Sequence, residues 1–438
     1  RASLISPIGA GSSGTSTPRT ISPPMPPIKP DFASRLSVDD ARRRVGKLCA
    51  QRRLQAESVQ LDGALGRILV HDVVAPIDLP PFENSAMDGY ALCGADLPVA
   101  GERRFAVVGS VLAGASRAPG FGVGECVRIT TGAPLPPAAD SVVAKENVRL
   151  EGDHIIVRAG ERAGAHVRAA GEDCRAGEIA LRAGVMLGAA RLGVLAALGF
   201  ARVDVARVPK VAVLVTGDEL VPPDRPLAFG QIHDSNRYSI EGLLRESGIA
   251  PEPGLHVRDD PGALRAALRT AADRCDIVIS SGGVSAGEAD FLPGLVAELG
   301  TVHFWKVRMK PGMPVLCGEI GRALVFALPG NPVSTIATFL CLVRPALRAL
   351  QGADEAGGRT WSARLAAPIA KHHDRTEFLR ARLESRADGG LWATPLAKQG
   401  SGMLCGAAGA NAFIVCPEHA RELAGGTVVD VMPWPGLC

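Results

Sequence analysis

Three short segments carry the residue types that an anionic ligand needs. They are Thr216-Gly217-Asp218-Glu219, the Ser280–Asp290 loop with Ser281, Gly282, Gly283, Ser285 and Glu288, and Pro329-Gly330-Asn331-Pro332-Val333-Ser334. Each follows an apolar run that reads as a strand, so all three belong at strand carboxyl ends, where open α/β sheets bind their ligands. Gly282 and Gly283 offer free backbone N–H groups with no side chains in the way, and such a loop leading into a helix cradles anions. A tight turn needing positive φ is the plainer use of the same glycines. Asn331 can cap a helix whose first position suits Pro332, and Ser334 falls in its first turn. Ordinary helix initiation would ask for the same residues; a shared crevice gives them their functional value.

Lys306 and Lys310 flank Val307-Arg308-Met309, just ahead of Pro311-Gly312-Met313-Pro314. Two lysines in such a loop either point into solvent or place two point charges on one anion. Glu219, Asp259, Glu288 and Asp290 supply carboxylates, which beside phosphate suit Mg²⁺. Glycine loop, paired lysines and carboxylates together imply a phosphorylated or otherwise polyanionic ligand with a divalent metal. No Walker loop, dinucleotide glycine fingerprint or zinc-type histidine pair is present in the sequence. The doublet His372-His373 reads as a surface feature.

The elements that must hold these residues are legible by pattern. Val211–Val215 is a continuous apolar run, the mark of a buried parallel strand. Strands follow at Asp276–Ser280, Val302–Val307 and Leu324–Leu328, alternating with helices near Asn236–Glu246, Pro261–Ala272, Asp290–Leu299 and Pro332–Leu350. The fold class is therefore α/β multidomain, with a central doubly wound three-layer domain over residues 208–352. Ahead of it, 31–207 reads as an N-terminal region: a helical subdomain with a β subdomain inserted at about 75–175. A helix starting at Ser37 would bury Val38, Ala41 and Val45, with Arg42-Arg43-Arg44 as its solvated face. Residues 353–438 read as a small all-β, barrel-like domain. Residues 1–30, with nine Ser/Thr and seven Pro, read as a disordered tail.

Composition narrows the function classes. Lys+Arg 48 against Asp+Glu 45 leaves +3, too balanced to claim nucleic acid or anionic lipid. Aromatics at 4% argue against a base-stacking surface. Arg191 and Arg344 interrupt the longest apolar stretches, so no membrane span is expected. No signal peptide opens the chain, and the cysteines lack metal or redox spacing, so reduced thiols and a cytoplasmic location are expected.

Read together, these motifs resemble the molybdopterin molybdenumtransferases, the family that includes the gephyrin E domain. The matching segments are Pro80–Ala91, Arg128–Pro134, Gly171-Glu172-Asp173, Thr216–Leu220, Asp234-Ser235-Asn236, Ser280–Asp290, Lys306–Pro314 and Pro329–Ser334, and the likeness covers about residues 35–438. Glu83 stands where the family commonly has Asp, and the first thirty residues have no counterpart. The resemblance implies a homodimer that inserts molybdate into adenylated molybdopterin, depends on Mg²⁺ or another divalent cation, and releases AMP. It implies catalytic roles for Asp88, Thr131, Asp173, Glu219, Asp259, Asp290, Lys306 and Lys310, and metal ligation by Glu219, Glu288 and Asp290. Ser334, Arg380 and Ser401 match the family's molybdate-binding neighbourhood, beside a substrate loop of Ser281, Gly282, Gly283, Ser285, Pro329, Gly330 and Asn331. The implied partners are a second copy of the chain, a molybdopterin adenylyltransferase and molybdoenzymes. A gephyrin-like scaffold and an adenylyltransferase alone are the alternatives; the full set of charged residues argues against the first, and the matching N- and C-terminal motifs argue against the second.

Overall fold

The computed structural model describes residues 35–284, 290–354 and 360–434. The expected tail, Ser285 and Glu288 lie outside the described residues.

The central domain is a six-stranded sheet in the order Leu255–Val257, Val211–Thr216, Ile277–Ser281, Ala323–Leu328, Leu316–Ile320, Thr301–Trp305. The first four strands run parallel; Leu316–Ile320 is antiparallel to both of its neighbours, so the edge strand Thr301–Trp305 runs with the first four. Every residue of Val211–Thr216, Ile277–Ser281 and Ala323–Leu328 is buried, which is why their sequences are apolar without alternation. Helices cover both faces: Asn236–Glu246 and the Pro332–Leu350 segment on one, Pro261–Arg274 and Leu292–Leu299 on the other. From Val211–Thr216 the chain builds first to one side, Leu255–Val257, and then to the other, Ile277–Ser281. That reversal makes the gap beyond Thr216 and Ser281 the topological switch point of the sheet.

The helix Val38–Ala50 forms where the Ser37 cap predicts it, with the Ser37 hydroxyl accepting the Asp40 N–H at 3.1 Å. Its packing differs from its place in the sequence. Val38, Ala41, Val45 and Cys49 share a core with Phe339, Leu342 and Leu347 of the central domain, not with the N-terminal region. An amphipathic helix buries its stripe against whichever apolar face is open, and chain order does not specify which.

The expected long helix Pro332–Leu350 is two α-helical pieces, Pro332–Thr338 and Arg344–Leu350, joined by a π-helical segment at Phe339–Val343. Its length and mean hydropathy would suit a membrane span, yet 83% of its most apolar window is buried inside the protein. Pro345 has no N–H for the carbonyl of Cys341, one turn before it. Arg42 Nε supplies the missing donor at 3.1 Å. Of the basic run expected to face solvent, only Arg43 and Arg44 are exposed. Arg42→Ala is expected to leave that buried carbonyl unsatisfied and to cost about 1–3 kcal/mol. Denaturant unfolding of the variant checks this; an unchanged midpoint would reject the bond's importance.

The inserted β subdomain is a second six-stranded sheet, in the order Ser141–Ala144, Gly89–Leu92, Glu125–Ile129, Glu102–Val111, His154–Arg158, Val148–Glu151. The chain leaves and returns at one point, where Ala75 donates to Glu178 and Gly177 donates to Ala75, each at 2.8 Å. The unit carrying the insertion is less helical than the sequence suggests. It pairs Ala56–Gln60 with Arg202–Ala206 beside the single nine-residue helix Ala189–Ala197, around Leu69, Leu187, Leu195 and Val205.

The C-terminal domain closes five strands into a barrel, Thr376–Ser385, Leu391–Pro395, Trp361–Leu365, Val428–Pro433 and Ala412–Cys416, the last pairing back onto the first. Met309–Lys310 of the central domain pairs with Thr376-Glu377 as an added parallel strand. The lysine loop is thereby fixed to the barrel.

Candidate active site

At the switch point lies a crevice of about 650 Å³. Its walls include Gly217 and Glu219 from the first strand end, Ser281, Gly282 and Gly283 from the second, and Pro329, Gly330 and Asn331 from the third. The three strand-end segments therefore share one cavity. Asp259 and Asp290 line it too.

Gly282 is required by geometry. Its φ is +94°, and a Cβ there would stand 2.6 Å from the Thr216 carbonyl oxygen and 2.8 Å from Thr216 Oγ1. Its N–H is not free, contrary to the expectation for this loop: it donates to Leu328 at 3.2 Å, stitching the second strand end to the third. Among the described residues, the turn leaves for a ligand the Thr216 hydroxyl, which is buried, belongs to a residue lining the crevice and has no partner. Asn236 makes the second stitch. Its Nδ2 donates to Ser281 Oγ at 2.9 Å and to the Gly330 carbonyl at 2.7 Å. The carbonyl can only accept, so the amide orientation is settled, and Asn236 Oδ1 is left buried without a partner on the cavity wall. The sequence placed Thr216 and Asn236 within motif segments and gave neither a role of its own. The available signal was position: a threonine ending the first buried strand, and an asparagine opening the next helix.

The acidic residues crowd one side. The Asp259 N–H donates to Asp218 Oδ1 at 3.2 Å. Burial holds the Asp259 carboxyl above its ordinary range, and the charges of Asp218, Glu219 and Asp290 push it the same way, against the pull of the Asp218 backbone N–H. Among the described residues no three His, Cys, Asp or Glu side chains form a ready metal cage. A few mutually repelling hard oxygens beside an anion cleft still fit Mg²⁺, which takes one or two carboxylates and completes its shell with phosphate and water. The same repulsion gives a stability prediction. A raised carboxyl contributes stability that is complete below the unfolded value of 3.8 and is lost as pH rises through the folded pKa. Asp259→Asn, which cannot ionise, is expected to melt about 1–3 °C above the parent at pH 7. The gap should close toward pH 4, and a variant melting below the parent at pH 7 would contradict the assignment.

The cationic residues sit apart from the crevice wall. Lys306, at φ +68°, holds its amine 4.2 Å from the centre of the Trp305 ring. Lys310 lies 2.8 Å from Glu377 Oε1 of the barrel. Pro314, on the same loop, lines the crevice. Arg380 is 1% exposed, and its guanidinium is spent on the carbonyls of Met403 and Gly400 at 3.0 Å each, and of Lys398. Burial lowers its pKa. In this arrangement Arg380 shapes the 398–403 loop through its two terminal nitrogens, and its Nε is buried without a partner. The Ser401 carbonyl accepts the Val333 N–H at 3.0 Å, which docks that loop on the helix carrying buried Ser334, and Gly402 reaches the crevice.

Asp88, Thr131 and Asp173 do not line this crevice. Asp88 accepts the backbone N–H and the hydroxyl of Thr131, both at 2.9 Å, with Lys145 Nζ at 3.3 Å. Those contacts, the Thr131 N–H foremost, pull its pKa down to about 2, so it stays ionised at any working pH. Asp173 is exposed, and its N–H donates to Leu79 at 2.9 Å. The doublet expected at the surface divides: His372 is exposed, while His373 turns inward toward Glu377.

Comparison with known proteins covers the same three regions. A family model described as the MoeA N-terminal region (domain I and II) matches residues 36–199, a probable molybdopterin binding domain matches 212–349, and the MoeA C-terminal region (domain IV) matches 362–434. The chain is 35% identical over 392 residues to the molybdopterin molybdenumtransferase of Haemophilus influenzae, covering 87% of this chain and 95% of that one. It is 34% identical over 404 residues to molybdopterin molybdenumtransferase 2 of Mycobacterium tuberculosis, covering 90% and 98%. The crystal structure of a molybdopterin biosynthesis moeA protein from Pyrococcus horikoshii OT3 superimposes with a TM-score of 0.79 at 28% identity, over 92% of this chain and all of that one. With three domain models in order along the chain and relatives matched over nearly their whole length, the chain belongs to the molybdopterin molybdenumtransferase family.

Proposed function

We propose that this chain inserts molybdenum into molybdopterin, taking adenylated molybdopterin and molybdate as substrates and releasing AMP. The observation that supports it best is the crevice: three strand ends meet around a cavity of about 650 Å³, with a glycine approach, an unpartnered hydroxyl and crowded carboxylates. That combination suits a phosphate-bearing ligand at a switch point. In this reading the Thr216 hydroxyl receives a phosphate that the side-chain-free Gly282-Gly283 turn lets approach closely, while Asn236 keeps the two loops at fixed spacing and offers Oδ1 to a ligand N–H. Molybdate is taken near Lys310 and the Ser334–Ser401 junction. Glu219, Asp259 and Asp290 would hold Mg²⁺, with Glu288 by resemblance; bound there, the ion would neutralise phosphate charge and polarise the anhydride to be cleaved.

Asp88, Thr131 and Asp173 lie outside the crevice of their own chain, which favours a homodimer in which the β subdomain of one copy completes the site of the other. A reaction that adenylates molybdopterin must come before this one, and apo-molybdoenzymes would consume its product. We place the protein in the cytoplasm, consistent with the free thiols of the described cysteines. The test incubates the full chain with adenylated molybdopterin, molybdate and Mg²⁺. AMP release and reconstitution of an apo-molybdoenzyme are followed together. Both should require molybdate. Failure of both, or formation of the adenylate from ATP as the sole activity, would overturn the reading.

A further inference from the structure

The barrel places a buried carboxylate where the lysine loop meets it. Glu377 has a side chain 8% exposed and stands in register with Lys310 across the parallel pairing of Met309-Lys310 with Thr376-Glu377. Its Oε1 lies 2.8 Å from Lys310 Nζ, and its Oε2 lies 3.3 Å from His373 Nε2. His373 Nδ1 accepts the Arg375 N–H at 3.3 Å, so the neutral ring carries its proton on Nε2. That nitrogen is buried and makes no aligned hydrogen bond, to Glu377 or to any other group, although Glu377 is the carboxylate nearest its proton. Burial lowers the His373 pKa, which keeps the ring neutral near pH 7. Both neighbours of Glu377 are therefore donors. A carboxylate can accept from both at once, whereas an amide has one accepting oxygen.

The surroundings make this geometry rigid. Lys371, itself buried, donates its ammonium to the carbonyls of Arg375 at 2.9 Å, Glu418 at 3.1 Å and Pro417, which pins the segment bearing His373. Arg308, two residues before Lys310, pairs with Glu418 at 2.8 Å. The lysine loop is thus clamped to the barrel on both sides of Met309.

From this juxtaposition we infer that Glu377 is the positioning residue of Lys310, holding its ammonium on the loop that borders the crevice so that it meets molybdate. The inference rests on the proposed role of Lys310 and adds the barrel carboxylate through which that role is exercised. Glu377 touches no substrate in it. Half-exposed lysines sample many rotamers, and a fixed acceptor removes most of that freedom before the anion arrives.

The experiment measures steady-state kinetics of the full chain against molybdate at saturating adenylated molybdopterin, with AMP binding by calorimetry as a separate readout. Glu377→Gln is expected to raise the KM for molybdate about tenfold while kcat and the AMP dissociation constant stay within about twofold. The amide oxygen can serve only one of the two donors. Removing the competitor in the double variant Glu377→Gln/His373→Ala should turn that oxygen to Lys310 and return KM to within about threefold of the parent. A merely structural role would impair AMP binding along with KM, with no recovery in the double variant, and that result would overturn the inference. So would a parental KM in Glu377→Gln where Lys310→Ala is impaired. If Lys310→Ala itself keeps the parental KM, the reading of Lys310 fails and the inference falls with it. Should Glu377→Gln not fold, the double variant decides alone: a KM as poor as that of Lys310→Ala rejects the proposal.

Discussion

Alanine at position 282 is expected to weaken AMP binding about a hundredfold, equivalent to about 3 kcal/mol. The backbone there sits at φ +94°, and the new Cβ would meet the Thr216 carbonyl oxygen at 2.6 Å. A non-glycine residue in such a conformation costs on the order of 1–3 kcal/mol before any clash is relieved. The clash is with backbone, so relief means moving the end of the first strand or breaking the Gly282–Leu328 bond. Either opens the crevice. Gly321→Ala is the control, since Gly321 also has positive φ, +57°, but nothing within 4 Å of a Cβ. It should lose some stability and bind AMP as the parent does. Equal binding by Gly282→Ala and the parent would show that the loop does not shape the nucleotide site.

The second large effect belongs to Lys310→Ala. Loss of a charge-assisted contact to an oxyanion is worth about 1.5–3 kcal/mol, so kcat/KM for molybdate should fall roughly 10- to 100-fold. AMP binding should be untouched, because Lys310 does not line the crevice. The melting temperature should drop by only a few degrees: the lysine is half exposed, which weakens the pair, but buried Glu377 is left with His373 alone. Loss of AMP binding in this variant would mean that the lysine loop supports the whole crevice and does not serve the oxyanion specifically.

How much of this was legible in the sequence follows from what each residue depends on. The parallel strands Val211–Thr216, Ile277–Ser281 and Ala323–Leu328 announced themselves because burial on both faces demands uninterrupted apolar runs. With the strands placed, the loops after them had to share a crevice, and Glu219, Gly282 and Asn331 do. Leu316–Ile320 was hidden because Gly318 and Glu319 break its apolar pattern. Gly318 is there for close approach, since a Cβ would stand 2.7 Å from the Thr301 carbonyl oxygen. The strand expected to reach Val307 stops at Trp305, where Lys306 turns to positive φ.

The residues whose surroundings could not be read are those whose meaning lies in a distant partner. Arg380 has the right charge for an oxyanion, but its carbonyl partners are 18 to 23 residues away. Nothing local in the sequence distinguishes a ligand-binding guanidinium from one spent on its own chain. His373 looked like half of a surface doublet until the barrel brought Glu377 beside it. Arg42 looked solvated because the unsatisfied carbonyl it serves, that of Cys341, is 299 residues away. Local periodicity shows what is buried; it does not show which buried polar group answers which.

The measurement that bears most directly on the central claim is a crystal structure of the full chain soaked with adenylated molybdopterin. Phosphate density is expected at the switch point, within hydrogen-bond reach of Thr216 Oγ1 and against Gly282 and Gly283, with the Asp259 side nearest any bound cation. Density for the compound anywhere else, with that crevice holding only solvent, would contradict it.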